Sequence, residues 1–450
     1  MRENSRDIIK DMTCGRPGKL IFGFALSLML GNVFQQLYTF VDTIIVGRCL
    51  GMNSLAALGA TERLIFVMFG CIQGITQGFS IGISQKFGSH DYADMRNRIA
   101  NSFYLGGLAA VFLSLVGVWS CFPVLRLLDT PEDILYLAEE YLNILYMGVP
   151  VSVLYNLLAA VLRAVGDGRT PLKAVTIASL GNIGLDIFFV VVLHMGIDGA
   201  AYATVLAQVF SVVYCFVVMA RVELIRPHRE DFHLRAGEVK KLLKLGMPIG
   251  FQNIITGLGG VIVQRVINGF GVTFLVGFTA ARKLYGLLET AATSYGYAAA
   301  AYTGQNMGAG LIGRIRKGLK EAAILGVITA YVMSFVMAVF GKAILGSFVT
   351  GSGSVVNGAV EIGYHFLIIL AAFFPLLYFL YIIRSCVQGM GNTFWPVVSS
   401  MAQLFMRVIC AVWLTRILGE AGVFWGEIFA WIGAILILLG TYGQLIKKYT

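Results

Sequence analysis

Long apolar runs constrain the fold of this chain more than any other feature. Twelve segments of about 20 residues or more can be marked, the length that an α-helix needs to cross the roughly 30 Å hydrocarbon layer of a bilayer. They cover residues 19–46, 55–83, 99–121, 136–160, 172–193, 199–220, 246–267, 274–302, 319–345, 360–383, 395–415 and 422–446. Strands of a membrane barrel would instead alternate apolar and polar residues. We therefore predict an all-α polytopic membrane protein with twelve transmembrane helices.

The composition supports this class and argues against several others. Hydrophobic residues make up 58% of the chain and charged residues 13%, whereas about 25% of the residues of a soluble domain are charged. The net charge of +10 comes from loop residues, and the chain lacks the soluble basic face that nucleic-acid binding needs. The seven cysteines and five histidines are scattered, without the spacing of a disulfide framework or a metal site. We expect no enzyme, no catalytic residues, no cofactor, no nucleic-acid partner and no metal other than a coupling Na⁺.

The distribution of basic residues predicts the orientation. Most Lys and Arg residues fall in the connections on one side of the predicted helices. The other side has only Arg48, Arg126 and Arg416, together with Lys342 near the outer end of segment 319–345, so the positive-inside rule places both termini in the cytoplasm. The first apolar segment follows a charged arm and shows no cleavage site, which favours a retained helix. We expect a monomeric, multi-pass protein of the cytoplasmic membrane.

The chain contains an internal duplication. The longest polar connection separates an N-terminal six-helix lobe, residues 1–220, from a C-terminal six-helix lobe, residues 246–450, with a cytoplasmic linker at 221–245. A near-constant offset relates the lobes, which indicates a repeat. Repeats with an even number of helices keep one orientation, and parallel halves of this kind are typical of transporters that rock around a substrate. The matched positions include Gly51 with Gly271, Leu55 with Leu275, Pro150 with Pro375 and Pro171 with Pro396.

Polar residues inside the apolar segments mark a candidate site in the N-terminal lobe. The first segment contains Asp42, and a charge at the bilayer centre costs at least about 2.5–3.5 kcal/mol. Asn182 and Asp186 in the fifth segment lie four residues apart and share a helical face, and the sixth segment adds Thr204. The helical rise places these groups in the outer half of the lobe, Asp42, Asp186 and Thr204 roughly 7 to 12 Å below the outer ends of their helices.

This set predicts either an oxygen-rich site for a hard cation such as Na⁺ or a carboxylate pair that shares a proton. The choice between H⁺ and Na⁺ stays open. In the competing interpretation Asp42 and Asp186 only cap or pair locally, for example with Arg48. The repeat carries Ile262 and Ala411 at the equivalent positions, so the second lobe lacks this site.

A substrate cavity for small molecules should adjoin the cation site. We expect aromatic, Met and amide side chains to line it, and Tyr38 lies one turn before Asp42. Glu62, with Arg63, is either cavity lining or half of a neutralised pair. The residues that we expect to line the cavity are Gln35, Tyr38, Glu62, Tyr141, Met147 and Asn156.

Seven motifs, in this order and spacing, resemble those of the multidrug and toxic compound extrusion (MATE) transporters. They are GNVFQQLYTFVDTIIVGRCLG (31–51), SQKFGSHD (84–91), RAVGDGRTP (163–171), GNIGLDIFF (181–189), LGMPIGFQN (245–253), GQNMGAG (304–310) and QGMGNTFWP (388–396). The resemblance implies an antiporter that expels bulky, often cationic or amphipathic compounds while Na⁺ or H⁺ enters.

The resemblance also assigns the ion site to one lobe. Asp42, Asn182, Asp186 and Thr204 match the N-terminal-lobe cation site of one branch of these transporters. Where the other branch has acids, this chain has Thr256 or its neighbours and Leu377 or Tyr378, so we expect no second cation site. Ser27 replaces a proline frequent in related first helices, and a serine keeps the backbone hydrogen bond that proline removes.

Two alternatives stay open at this point. A lipid-linked oligosaccharide flippase of the same superfamily would use basic residues of the second lobe, which are Arg265, Arg282, Lys283 and Arg407. An intramembrane serine hydrolase would use Ser80 in the G-x-S-x-G sequence of residues 78–82, with His194 or His365 as the base. That motif requires a strand-to-helix turn at the serine.

Overall fold

The computed structural model describes residues 9–348 and 353–449, apart from the side chains of residues 258–265, 268, 348 and 353–355. Every regular element in these ranges is a helix, as predicted. The helices are α1 (Pro17–Cys49), α2 (Met52–Gly88), α3 (Tyr92–Leu127), α4 (Glu132–Met147), α5 (Val149–Ala164), α6 (Arg169–Asp186), α7 (Ile197–Arg221), α8 (Ala236–Asn268), α9 (Val272–Gly308), α10 (Ile312–Phe348), α11 (Gly353–Gly389), α12 (Phe394–Ile409), α13 (Thr415–Leu418) and α14 (Ala421–Tyr449). Two π-helices, Ile187–Val192 and Cys410–Leu414, extend α6 and α12, and Arg229–Asp231 forms a 3₁₀ turn.

Length and apolar character qualify most of these helices to span a membrane. Nine helices of the described chain are each long and apolar enough, and the bent pair α4 and α5 brings the number to ten. The pair meets at 47°, and Pro150 follows the break in the first turn of α5, where proline is tolerated because that N–H has no helical partner. In contrast, α11 continues through Pro375 as one helix.

The described chain forms two compact units. Unit 1 comprises residues 9–11 and 27–250, and unit 2 comprises Met12–Leu26 together with residues 251–348 and 353–449. Helices α1 and α8 therefore each contribute to both units, and the change of unit in α1 falls at Ser27. Helix α1 nevertheless runs unbroken from Pro17 to Cys49, which agrees with a serine that keeps its backbone N–H.

The polar linker is held firmly on unit 1. Asn97 donates from Nδ2 to the Asp231 carbonyl at 2.8 Å. Arg98 donates from Nε to Glu238 at 2.6 Å and from Nη1 to the Gly82 carbonyl at 2.7 Å, and both members of the Arg98–Glu238 pair are buried. Burial alone raises the pKa of Glu238, but hydrogen bonds and charge from Lys241 and Arg98 outweigh it and lower that pKa below its usual value.

The N-terminal arm is held on unit 2 in a comparable way. The Met12 N–H donates to Gln305 Oε1 at 2.8 Å, and Asn306 Nδ2 donates to the Met12 carbonyl at 3.1 Å. Arg314 donates to the Gly15 carbonyl at 3.0 Å. Gln305 and Asn306 belong to the GQNMGAG motif, so the polar residues of this motif anchor the arm.

Helices α2 and α8 meet backbone to backbone within unit 1. A Cβ atom at Gly78 would lie 2.4 Å from the Gly246 Cα, and one at Gly74 would lie 2.7 Å from the Gly250 Cα. The G-x-S-x-G sequence falls in this contact, inside a continuous helix. Ser80 is buried and donates to the Gln77 carbonyl at 2.7 Å, so the strand-to-helix turn of a nucleophile elbow is not formed at this serine.

The glycine contact predicts a strong position effect on stability. Gly78→Ala should lower the free energy of unfolding by about 1–3 kcal/mol, because the added methyl group forces two backbones apart. Gly59→Ala on the same helix is the control, since nothing lies within 4 Å of its added Cβ. Thermal unfolding of the purified protein in detergent measures both variants. Equal melting temperatures for the two variants would contradict the close contact.

The linker attachment predicts a pH-dependent local opening. Because the pKa of Glu238 is lowered in the folded protein, its ion pair stabilises the linker above the usual glutamate pKa. This stabilisation is lost as the pH falls through the pKa that Glu238 has in the folded protein.

Glu238→Gln, which leaves Arg98 without its ion-pair partner, should lower the free energy of unfolding by about 3–5 kcal/mol and speed amide exchange over residues 229–241. Glu230→Gln, at an exposed position of the same linker, should exchange like the wild type. Unchanged exchange in Glu238→Gln would show that the ion pair does not hold the linker.

Candidate functional site

Three helices of unit 1 bring the predicted cation-site residues into its interior. Asp42 lies on α1, Asn182 and Asp186 lie on α6, and Thr204 lies on α7. Asp42 is 6% exposed, Asn182 1% and Asp186 0%, while Thr204 is half-buried. Four polar groups in an apolar helical unit are therefore largely or wholly removed from solvent.

Asp186 is the last residue before the π-helix Ile187–Val192. Single-turn π segments are frequent at functional sites, but unit 2 repeats this one at Cys410–Leu414. Ala411 stands there in place of the aspartate. The π segment thus belongs to the duplicated fold, whereas the carboxylate distinguishes unit 1.

The two carboxylates share one cluster with two tyrosines. Asp42 and Asp186 lie close enough to interact electrostatically. Tyr141 of α4 interacts with both of them and hydrogen-bonds Thr204. Tyr38 also interacts with both carboxylates and hydrogen-bonds Gln35. The cluster therefore contains residues predicted for the cation site together with three residues predicted to line the cavity, which are Gln35, Tyr38 and Tyr141.

The oxygen atoms of this cluster lack enough hydrogen-bond donors. Asp42 Oδ1, both carboxylate oxygens of Asp186 and both polar atoms of Asn182 are buried without a hydrogen-bond partner among the described residues. Each such group costs about 1–3 kcal/mol, and more when charged. Arg48, the local partner considered above, is exposed, and the ion pairs found among the described residues do not include Asp42. Unpartnered oxygens at two neighbouring carboxylates suit a hard cation or a proton shared by the pair.

The other predicted cavity residues are not part of this cluster's contacts in the described chain. Glu62 is exposed and Met147 is 60% exposed. Asn156 is half-buried and donates to the Ser152 carbonyl at 2.9 Å. Their role in a substrate cavity stays a prediction.

A second polar cluster lies in the interior of unit 2. The apolar segments of the sequence show the charges of Glu289, Arg407 and Glu427, but the sequence did not predict Arg384 or group the four residues. Arg384, one residue beyond the predicted end of the tenth apolar segment, lies inside α11 at 6% exposure. It donates from Nη2 to Gln403 Oε1 at 3.0 Å. Arg407 pairs with Glu427 at 2.6 Å, and Glu289 accepts from the Tyr381 hydroxyl at 2.7 Å. The sequence signal was a charge at the very edge of a long apolar run.

These contacts bear on the basic residues that a flippase would need. Arg407 already has a carboxylate partner, Glu427. Arg282 and Lys283 are exposed on α9. The side chain of Arg265 lies outside the described residues.

Long apolar helices with buried ionisable groups indicate a multi-pass membrane protein, and comparison with known proteins identifies it as a transporter and gives the family. The MatE family model matches residues 27–188 and 248–413. This chain therefore belongs to the MatE family, and both the predicted family and the predicted class of fold are confirmed.

Individual relatives cover almost the whole chain. It is 29% identical over 432 residues to the probable multidrug resistance protein YpnP of Bacillus subtilis, covering 96% of this chain and 92% of that protein. Its fold matches a MOP superfamily transporter from Pyrococcus furiosus with a TM-score of 0.91 at 22% identity, covering 97% of each chain. An outward-facing multidrug resistance MATE family transporter matches with a TM-score of 0.90 at 23% identity, covering 96% of each chain.

The unpartnered oxygens predict that the site is not built for stability. Asp186→Asn should leave the melting temperature of the purified protein unchanged or higher at neutral pH, because it removes a buried acid that has no hydrogen-bond partner. Asp231→Asn is the matched comparison. Asp231 is also buried, but it accepts from Arg96 at 3.2 Å and from the His228 N–H at 2.8 Å, so its replacement should lower the melting temperature. A similar loss in both variants would mean that Asp186 has a stabilising partner.

Proposed function

We propose that this chain is a secondary antiporter that exports bulky cationic or amphipathic small molecules in exchange for H⁺ or Na⁺. The observation that carries the proposal is the buried pair Asp42 and Asp186, whose oxygens lack partners. Membership of the MatE family and the likeness to a probable multidrug resistance protein support the export of drugs. In this proposal the protein lies in the cytoplasmic membrane with both termini in the cytoplasm.

The coupling follows from differential binding. A cation or a proton at Asp42 and Asp186 satisfies oxygens that are otherwise unpartnered, and so stabilises the conformation that binds it best. A substrate that binds another conformation better shifts the population the other way, since a ligand acts only through its differential affinity. Tyr38 and Tyr141 lie within the electrostatic influence of both carboxylates, and Tyr38 also interacts with Gln35. Aromatic side chains attract organic cations, so these tyrosines can connect the ion site to the substrate.

The test is transport of a fluorescent organic cation in inverted membrane vesicles, with a Na⁺ gradient or a pH gradient imposed separately. One of the two gradients should drive accumulation by the wild type, which also identifies the coupling ion. Asp42→Asn should reduce that accumulation to the level of vesicles without the protein, because the asparagine can neither exchange a proton nor offer a charged ligand.

Asp129→Asn is the control for this experiment. Asp129 is exposed and has a left-handed backbone (φ 53°), a conformation that asparagine also tolerates, so the variant should transport normally. Transport that ignores both gradients, or that persists in Asp42→Asn, would refute the coupling role. Lipid-linked oligosaccharide flipping would then become the better interpretation.

A further inference from the structure

The interior of unit 2 has the opposite hydrogen-bond imbalance to the interior of unit 1. In unit 1 most buried side-chain atoms without partners are oxygen acceptors, including those of Asp42 and Asp186. In unit 2 the corresponding atoms in the described residues, apart from Glu427 Oε2, are nitrogen donors or hydroxyls, which can donate or accept. They are Arg384 Nε, Arg407 Nε, Trp431 Nε1 and the hydroxyls of Tyr285, Tyr378 and Ser400. Arginine and tryptophan nitrogens can only donate, so an acceptor is what this interior needs.

Some of these donors meet at a small cavity. Ser400, Gln403 and Arg407 follow one another on one face of α12, at helical spacings of three and four residues. With Ile255, Thr256 and Leu404 they line a cavity that admits about one water-sized group. Ser400 and Gln403 are both more than nine-tenths buried. Arg384 occupies the Gln403 oxygen, which leaves the NH₂ group of that amide as a donor.

Arg384 has no carboxylate in direct contact among the described residues. Arg384 and Arg407 lie close enough to repel each other. The negative charge of Glu289 stabilises the charge of Arg384, but the two side chains do not form an ion pair. Glu427 pairs with Arg407, and Tyr381 donates to Glu289. Among the described residues, the ion pairs found leave Arg384 without a carboxylate, and an unpaired buried charge costs several kcal/mol.

We propose that unit 2 binds a small monovalent anion of the size of chloride in the cavity beside Ser400, Gln403 and Arg407. The anion accepts from these donors and offsets the charge of Arg384, which lies directly behind Gln403. The cavity is too small for a phosphate group. This site uses none of the residues of the cation site and does not depend on the proposed antiport.

The first test is thermal unfolding of the purified full-length protein in detergent. Sodium chloride replaces sodium gluconate stepwise, so that the Na⁺ concentration and the ionic strength stay constant. The melting temperature of the wild type should rise with chloride and saturate, because a ligand that binds only the folded state stabilises it. Bromide should act like chloride. Identical melting in chloride and gluconate would overturn the proposal, with water alone filling the cavity.

Two variants and a control locate the effect. Ser400→Ala should raise the half-saturating chloride concentration by about tenfold, since it removes one hydrogen bond to a charged group. Ser399→Ala should behave like the wild type, because Ser399 donates to the Pro396 carbonyl instead. Similar chloride responses in Ser400→Ala and Ser399→Ala would show that chloride acts elsewhere.

A gain-of-charge variant keeps the test valid if Ser400→Ala fails to fold. Gln403→Glu supplies a fixed carboxylate next to Arg384, so it should melt in gluconate at least as high as the wild type does in chloride. It should also lose the chloride response. A Gln403→Glu protein that is still stabilised by chloride to the wild-type extent would exclude this cavity as the anion site.

Discussion

The organisation of this protein depends on the cost of placing a charge among apolar helices. A side chain that is charged at the centre of a bilayer costs at least about 2.5–3.5 kcal/mol, and the described chain accepts this cost in both of its units. Unit 1 buries the acids Asp42 and Asp186, which form no ion pair among the described residues. Unit 2 buries Arg384 and half-buries Arg407 beside the acids Glu289 and Glu427. Both sets leave polar side-chain atoms without a hydrogen-bond partner in the part of the chain that the structure describes.

Duplication supplied the two interiors, and divergence gave them different chemistry. Both units retain the π-helical segment after the matched helix, at Ile187–Val192 and at Cys410–Leu414. Only unit 1 places a carboxylate at that segment, whereas unit 2 has Ala411 there and draws its charges from other positions of α11, α12 and α14. A shared backbone with changed side chains gives each unit its own set of buried polar groups without altering the fold.

The sequence predicted those parts of the structure that depend on local physics. Run length identified the spanning helices, and the rarity of charge in apolar segments pointed to Asp42 and Asp186, which the structure does bring together. The sequence did not show that Arg384 is buried inside a helix. A charged residue at the edge of an apolar run looks the same whether the helix ends there or continues. The contact of Arg384 with Gln403 depends on tertiary packing, which periodicity does not record. The exposure of Glu62 and Met147 was hidden from the sequence for the same reason.

The assignment of the N-terminal arm to unit 2 has a consequence for biosynthesis. The partners of residues 12–15, which are Gln305, Asn306 and Arg314, are synthesised nearly three hundred residues after them. At about 5–20 residues per second the arm waits roughly a quarter of a minute to a minute before it can dock. Unit 1 likewise stays incomplete until the start of α8 has been synthesised. Unit 1 can therefore be completed before unit 2, whereas residues 12–26, which precede most of unit 1 in the chain, reach their final place only with unit 2.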